Sequence, residues 1–280
     1  MKRIFLFSYL LMISLLLMSG AARSQSIFTA LHLNEEREYK TAKPRKIIET
    51  NTFYNSKGKE VKKAVKTFDS AGMLLTEERF DEDNQLTSRS TYTNDTVNRL
   101  VLENSYEDWT KITGTTKETI EYIYDSNNFL VRVLDKNKLG NVYEKFEIIN
   151  NEHGDPIDLA GYRFNNALFG RESATYLYNQ NKAIVSVSKA DGTVLSTDTM
   201  LIKFKKALQF PTPDMAFNEQ GDMINWTTKN FNGTQTFYTA KFDYDNKGNC
   251  TNETIYKVTI KPNGKQKQEI NRNFKKEYFY

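Results

Sequence analysis

From about residue 48 onward, apolar and polar positions alternate with a period of two. In residues 236–244, Tyr238, Ala240, Phe242 and Tyr244 share one face. Ile120, Tyr122 and Tyr124 do the same, as do Val142, Phe146 and Ile148 around Glu144. In residues 250–260, Cys250, Thr254, Tyr256, Val258 and Ile260 fall on one side. Asn249, Thr251, Glu253, Lys257 and Thr259 fall on the other. This is the pattern of half-buried antiparallel strands, and Thr, Val, Ile, Tyr and Phe supply the matching propensity.

Between these runs one short phrase recurs: an aromatic or aliphatic residue, Asp or Asn, two further residues, then Gly or Asn. Copies are residues 54–58 (YNSKG), 68–72 (FDSAG), 80–84 (FDEDN), 124–128 (YDSNN), 217–221 (FNEQG) and 244–248 (YDNKG). Looser copies lie at 149–154, 178–182, 189–192 and 261–264. An Asp or Asn carboxyl or amide oxygen accepts a backbone N–H two residues on, and Gly or Asn at the fourth position tolerates positive φ. Such a turn followed by a bulge matches the twist of a hairpin. The spacing predicts one strand and one tight turn per unit, too short for a helix-containing repeat.

Two stretches interrupt the alternation. Residues 103–117, with Trp109 and a Thr-rich run, read as a lid, an inserted loop or a seam. Residues 201–215, with Phe204, Leu208, Phe210 and Pro211-Thr212-Pro213, read the same way. Within 26–42 the spacing predicts a short helix with Ile27, Phe28 and Leu31 on one face and Glu35-Glu36-Arg37-Glu38 exposed.

The first 24 residues follow different rules. Met1-Lys2-Arg3 is positive, Ile4 to Met18 is uncharged and apolar, and residues 19–25 (SGAARSQ) are small and polar. This order predicts a secretory signal peptide, cut after Ser24 or after Ala22. The apolar run is short for a membrane-spanning helix. The expected organisation is a signal peptide at 1–24, an N-terminal segment at 25–47 and a β-hairpin repeat domain at 48–280. The expected location is the periplasm or the cell surface, with no integral membrane segment after cleavage.

Composition narrows the function. The full chain carries 39 basic and 35 acidic side chains, but Lys2, Arg3 and Arg23 leave with residues 1–24, so 36 face 35. A near-neutral chain gives no general attraction to nucleic acid. One Cys and 2 His exclude a disulfide framework and a multi-His zinc centre. Phosphate-binding glycine loops and a nucleophile elbow are absent from the sequence, and no cofactor is expected.

The turn phrase, in particular residues 244–251 (YDNKGNCT) and 68–72, resembles the signature of RHS or YD repeats, as found in secreted repeat proteins of Bacteroidota. Cys250 stands where those repeats often carry Trp. The resemblance covers most of residues 48–280. It implies an all-β fold, an antiparallel β-hairpin repeat meander forming a curved or barrel-like sheet, and it brings no catalytic residues.

Several side chains are candidates for chemistry. Cys250 with His32 or His153 would make a nucleophile and base, although a small residue on a buried strand face and a solvated turn account for Cys250 and His153. Acids cluster at 81–84 and at Asp243 and Asp245, which suits either calcium or the turns themselves. Exposed aromatic rings are the better lead. Trp109, Trp226, Tyr106 and Phe231, with Phe237 nearby, lie in or near loops, where flat rings bind sugars or peptides by stacking. Asp69-Ser70-Ala71, Asp95-Thr96-Val97 and Asp198-Thr199-Met200 match an O-glycosylation pattern. The chain ends on aromatic Tyr280, an ending shared with outer-membrane barrels, but Lys276 and Arg272 stand on the Tyr280 face. Tyr280 is expected to end the edge strand of a soluble sheet. The expected function is non-catalytic binding or scaffolding at the cell envelope, with a glycan or an envelope protein as partner. A carbohydrate-active hydrolase with an unmarked carboxylate pair and an outer-membrane β-barrel are the alternatives.

Overall fold

A computed structural model of the chain describes residues 25–34, 39, 42–56, 58–110, 114–202, 214–229, 235–260 and 266–280. The predicted signal peptide, Glu35 to Glu38 and most of 201–215 lie outside these residues. A five-residue helix, α1 (Ile27–Leu31), precedes seventeen strands. They are β1 (Lys46–Asn55), β2 (Gly58–Phe68), β3 (Leu74–Phe80), β4 (Leu86–Asp95), β5 (Leu100–Thr110), β6 (Gly114–Tyr124), β7 (Leu130–Asn137), β8 (Val142–Asn150) and β9 (Pro156–Arg163). β10 (Leu168–Leu177), β11 (Lys182–Lys189), β12 (Val194–Leu201), β13 (Ala216–Phe217), β14 (Met223–Lys229), β15 (Gln235–Tyr244), β16 (Cys250–Ile260) and β17 (Gln266–Phe279) follow.

The recurring phrase folds as its chemistry requires. Asp125 Oδ1 accepts the N–H groups of Asn127 at 2.8 Å and Phe129 at 2.9 Å. Asn128 then turns back at φ 64°. Asp245 repeats this with Lys247 and Asn249, at 2.9 and 2.8 Å, and Gly248 takes φ 79°. Register shifts next to these turns, at Ile123/Tyr124 and Asp243/Tyr244, are the expected bulges. The first copy departs from the rest. Asn55 pairs directly with Gly58, so that connection has only two residues between the strands.

From β2 to β12, and again from β14 to β17, each strand pairs antiparallel with the one before it, and β17 pairs with β1 as well as with β16. Following the pairings, β13 to β17 lead into β1, and β1 into β2 to β12. The result is one seventeen-stranded meander, not closed into a barrel. Two expectations are corrected. Residues 103–110 and 114–117 are not a lid or seam but belong to the regular hairpin β5–β6, whose Thr-rich pairing runs through Trp109↔Thr115. Tyr280 does not end an edge strand, because β17 lies between β16 and β1.

Successive turns alternate between the two ends of the sheet. The turns at 69–73, 95–99, 125–129, 151–155, 178–181 and 245–249 share one end, called here the tyrosine end. Those at 81–85, 137–141, 163–167 and 189–193 share the other, the open end. One unit is therefore two strands long, which revises the single-strand unit read from spacing. Near the tyrosine end the inner face is apolar, with Phe68, Leu74, Tyr122, Val133, Phe146, Leu159, Ala183 and Met200 in one cluster. The N-terminal segment lies inside it. Ile27 is fully buried, and its N–H donates to Glu172 Oε2 at 2.8 Å. The Tyr39 N–H donates to the Gly72 carbonyl at 2.8 Å. A Cβ on Gly72 would stand 2.3 Å from the Tyr39 carbonyl oxygen, so this position admits only glycine.

Candidate functional site

Toward the open end the inner face changes character. Lys276, Glu49, Ala64, Arg79, Ser88 and Asp108 lie side by side across β17 and β1 to β5. Ile47, Lys66, Glu77, Ser90 and Tyr106 form the next row. A strand interior of this kind is normally apolar. Here the first row, with Lys66, Glu77 and Tyr106 of the second, walls a basin of about 950 Å³.

The basin is organised by alternating charge. Glu49 Oε2 meets Lys66 Nζ at 3.1 Å and Glu49 Oε1 meets Lys276 Nζ at 3.2 Å. Glu77 Oε1 meets Arg79 Nε at 2.7 Å. Burial alone would raise both carboxyl groups. For Glu49, Lys276 and Lys66 outweigh burial and hold it below the usual carboxylate range. For Glu77, Lys66 and Arg79 do the same. Burial would lower Lys276, and Glu49 reverses that and raises it. Both acids are therefore ionised at neutral pH, and the chain Lys276–Glu49–Lys66–Glu77–Arg79 is a fixed polar wall.

The rest of the lining balances in charge and adds rings. Glu49, Glu60, Glu77, Asp81 and Asp108 face Lys62, Lys63, Lys66, Arg79 and Lys276, five of each sign. Tyr39, Phe53, Tyr92 and Tyr106 supply aromatic surface, and Thr87 and Ser88 supply hydroxyls. Phe53 packs edge-on against Phe274 at 6.2 Å and carries Lys62 and Arg272 over its ring at 5.8 and 5.6 Å.

The aromatic residues singled out from sequence are not brought together. Tyr106 lines the basin. Trp109 stands on the opposite face of β5, beneath the Arg89 guanidinium at 5.8 Å. Trp226 is stacked on Tyr238 across β14 and β15 at 5.3 Å. Phe231 lies outside the described residues, and Phe237 is exposed on β15. The other basin residues were not found from sequence because their charges read as solvated strand faces. Lys66 belongs to a lysine-rich run, and only the register places it half-buried on the inner face.

The remaining candidates separate. His32 caps the C-terminus of α1 and packs on Phe28 at 4.7 Å. His153 lies in a turn beside Tyr178, and Cys250 opens β16 with its thiol donating to the Asn252 carbonyl at 3.5 Å. The acids at 81–84 serve their turn, with Asp81 Oδ1 accepting the Asp83 and Gln85 N–H groups. Among the described residues no group of His, Cys, Asp and Glu is arranged to hold a metal ion. Ser70, Thr96 and Thr199 of the three glycosylation matches are exposed.

A second set of acids lies further along the inner face. Asp135 pairs with Ile120 on one side and Glu144 on the other. It is 5% exposed and its Oδ1 has no hydrogen-bond partner among the described residues. Burial, with Glu144 and Glu118 close by, pushes its carboxyl up to about 7.

The outer face carries cross-strand ion pairs. Glu78–Arg89, Glu107–Lys117, Arg132–Glu147 and Asp158–Arg171 meet at 2.7, 3.2, 3.0 and 2.8 Å.

No family model matches the chain, and no curated protein matches it. Among solved structures, a porin-like protein from Bacteroides uniformis covers 86% of this chain and 99% of its own, at 13% identity and a TM-score of 0.47. The structure of TcdB2-TccC3-Cdc42 covers 86% of this chain and 18% of its own, at 11% identity and a TM-score of 0.18. That of TcdB2-TccC3 covers 78% and 16%, at 12% identity and a TM-score of 0.16. Likenesses of this size bring no function to the chain.

Proposed function

We propose that this is a non-catalytic binding protein of the cell envelope whose open-end basin takes a neutral, hydroxyl-rich ligand, a glycan. The observation that carries this reading is the basin wall. Its charges are matched five to five, and Glu49, Glu60 and Glu77 are held by Lys66, Lys276, Lys62 and Arg79, so it offers many hydrogen-bonding groups and little net field. An anionic ligand would call for an excess of positive charge, and an apolar one for a dry wall. Tyrosine and phenylalanine rings beside fixed donors and acceptors suit the two sides of a sugar ring. The envelope location rests on the order of residues 1–24.

The state of the two ion-paired acids in the basin wall supports the non-catalytic part. A glycosidase needs one carboxyl group protonated near neutral pH and one ionised. Glu49 and Glu77 are both held ionised by their basic partners. Asp135 has a raised pKa, but it is buried and stands outside the basin lining. The ion-pair ladders on the outer face argue against the barrel alternative, because a lipid-facing strand surface is an apolar band.

The test is a glycan array probed with the purified protein, followed by titration of the strongest binder and chromatography of the glycan afterwards. Binding is expected, with an intact glycan and at least about a tenfold loss in Tyr106→Ala. Silence across the array overturns the ligand class. Cleavage of the bound glycan overturns the non-catalytic reading.

A further inference from the structure

The open end of the sheet is not uniform. The turns β7–β8, β9–β10 and β11–β12 follow one another along it, two strands apart and therefore spaced by about 10 Å. Among the described residues, the most exposed large apolar side chains near this end lie at the first two of these tips and at the start of β12. Leu139 is 75% exposed, Phe164 77%, and Val194 and Leu195 60% each. Nothing in the turn geometry asks for them. The corresponding positions at the tyrosine end are held by Ser126-Asn127, Glu152-His153 and Asn246-Lys247 in the same turn type, with Val97 the apolar exception. These two tips and the adjoining start of β12 form a row about 20 Å across, set at the end of the molecule rather than in its core.

Charge accompanies the row. Lys138 precedes Leu139, Arg163 precedes Phe164, and Lys189 opens the turn before Val194, all three exposed. Asp191 is the acid within these turns. Further along the same end, the β3–β4 turn is the reverse, with Asp81, Glu82 and Asp83 and no base. Apolar tips flanked by basic residues fit a surface with a hydrocarbon layer beneath anionic phosphates.

We propose that the β7–β12 part of the open end docks on an anionic lipid surface. Leu139, Phe164, Val194 and Leu195 enter the interface, and Lys138, Arg163 and Lys189 meet the headgroup phosphates. This holds whatever the basin binds, since none of these residues lines it.

Co-sedimentation of the purified protein with vesicles tests the proposal. One set is phosphatidylcholine alone and the other contains phosphatidylglycerol as well. Binding is expected to the second set, with release when ionic strength rises from about 0.1 M to about 0.5 M. Leu139→Ser and Phe164→Ser are each expected to lower the partition coefficient about tenfold, while Val97→Ser, at the other end, leaves it unchanged. Circular dichroism confirms that these exposed substitutions leave the fold intact. Failure to bind either vesicle overturns the proposal. So does equal binding to both, or binding by the Leu139 and Phe164 variants at the level of the unaltered protein, which would assign the apolar tips to a protein partner instead.

Discussion

Two buried polar residues on the inner face have side-chain atoms with no hydrogen-bond partner among the described residues. Asn104 is fully buried with both amide atoms unmatched, and Asp135 has its Oδ1 unmatched. They stand in one cross-strand row, Tyr92–Asn104–Ile120–Asp135–Glu144. An unpaired buried polar group costs about 1–3 kcal/mol, and a buried charge costs more. Asp135 lessens its cost by holding a proton, which is why its carboxyl reaches about 7 beside Glu144 and Glu118. In the unfolded chain the same group titrates near 3.9. Between those values the folded state keeps a proton that the unfolded state releases, so stability is present at low pH and is lost as pH rises toward 7. Asp135→Asn removes this dependence. The variant is expected to gain on the original chain as pH rises from about 4 to 8, reaching a difference on the order of 3 kcal/mol. Urea titrations across that range would show it, and a difference independent of pH would refute it. The basin acids behave in the opposite sense, since Glu49 is held down by Lys276 and Lys66. None of this was visible in the sequence, where Glu49, Asn104 and Asp135 are three polar residues in alternating runs. Their burial is set by register between strands, and register is a property of pairs of segments.

At the level of the element, the turn phrase has a reason beyond the turn. The tyrosines near it reach back across one two-stranded unit. Tyr124 Oη donates to the Val101 carbonyl at 2.9 Å, Tyr176 Oη to the Pro156 carbonyl at 2.9 Å, and Tyr278 Oη to the Cys250 carbonyl at 3.0 Å. A second set grips turn acids. Tyr178 Oη donates to Asp155 at 2.6 Å, Tyr244 Oη to Asp222 at 2.5 Å and Tyr280 Oη to Asp245 at 3.0 Å. Each also accepts an amide N–H, from Asn151, Asn218 and Asn249 in turn. Rings at i and i+2 stack in Tyr176–Tyr178 at 5.5 Å, Phe242–Tyr244 at 6.3 Å and Tyr278–Tyr280 at 6.5 Å. The Asp-to-Gly part of the phrase was legible because its hydrogen bonds are local. The preceding tyrosine read only as an apolar position, because its partner lies 20 to 35 residues away. Replacing Tyr124, Tyr176 or Tyr278 by Phe keeps the ring and removes one hydrogen bond to a backbone carbonyl. Each is expected to cost about 1 kcal/mol. Tyr124 and Tyr278 share none of these partners, so their costs should add. Denaturation midpoints of the single and double variants measure this, and a double variant as stable as either single would show that the rungs do not act independently.

At the scale of the molecule, the sequence suggested a one-dimensional array, and most of the chain is one. Strand pairs from β2 to β12 join consecutive segments, so each hairpin needs only its neighbours. The β1–β17 pairing is different. It sets Lys46 against Phe279 and runs for eight residue pairs to Phe53 and Arg272. No alternation or turn signal could foretell it, because it joins segments with the whole repeat array between them. It has two consequences. It places β13 to β17 beside β1, so that they do not trail from β12. It also completes the candidate site, since Lys276 comes from β17 while Glu49 and Lys66 come from β1 and β2. Removing residues 266–280 would therefore strip a strand with two partners, uncover the edges of β1 and β16, and leave the buried Glu49 with one base instead of two. The truncated chain is expected to lose its cooperative thermal transition, not to melt a few degrees lower, because loss of a strand paired on both sides severs one part of the sheet from the other. Calorimetry on the full and truncated chains decides the matter. If the shortened chain unfolded in a single sharp transition near the original midpoint, the terminal pairing would be an adjunct to the array, and the basin would have to be explained from β1 to β5 alone.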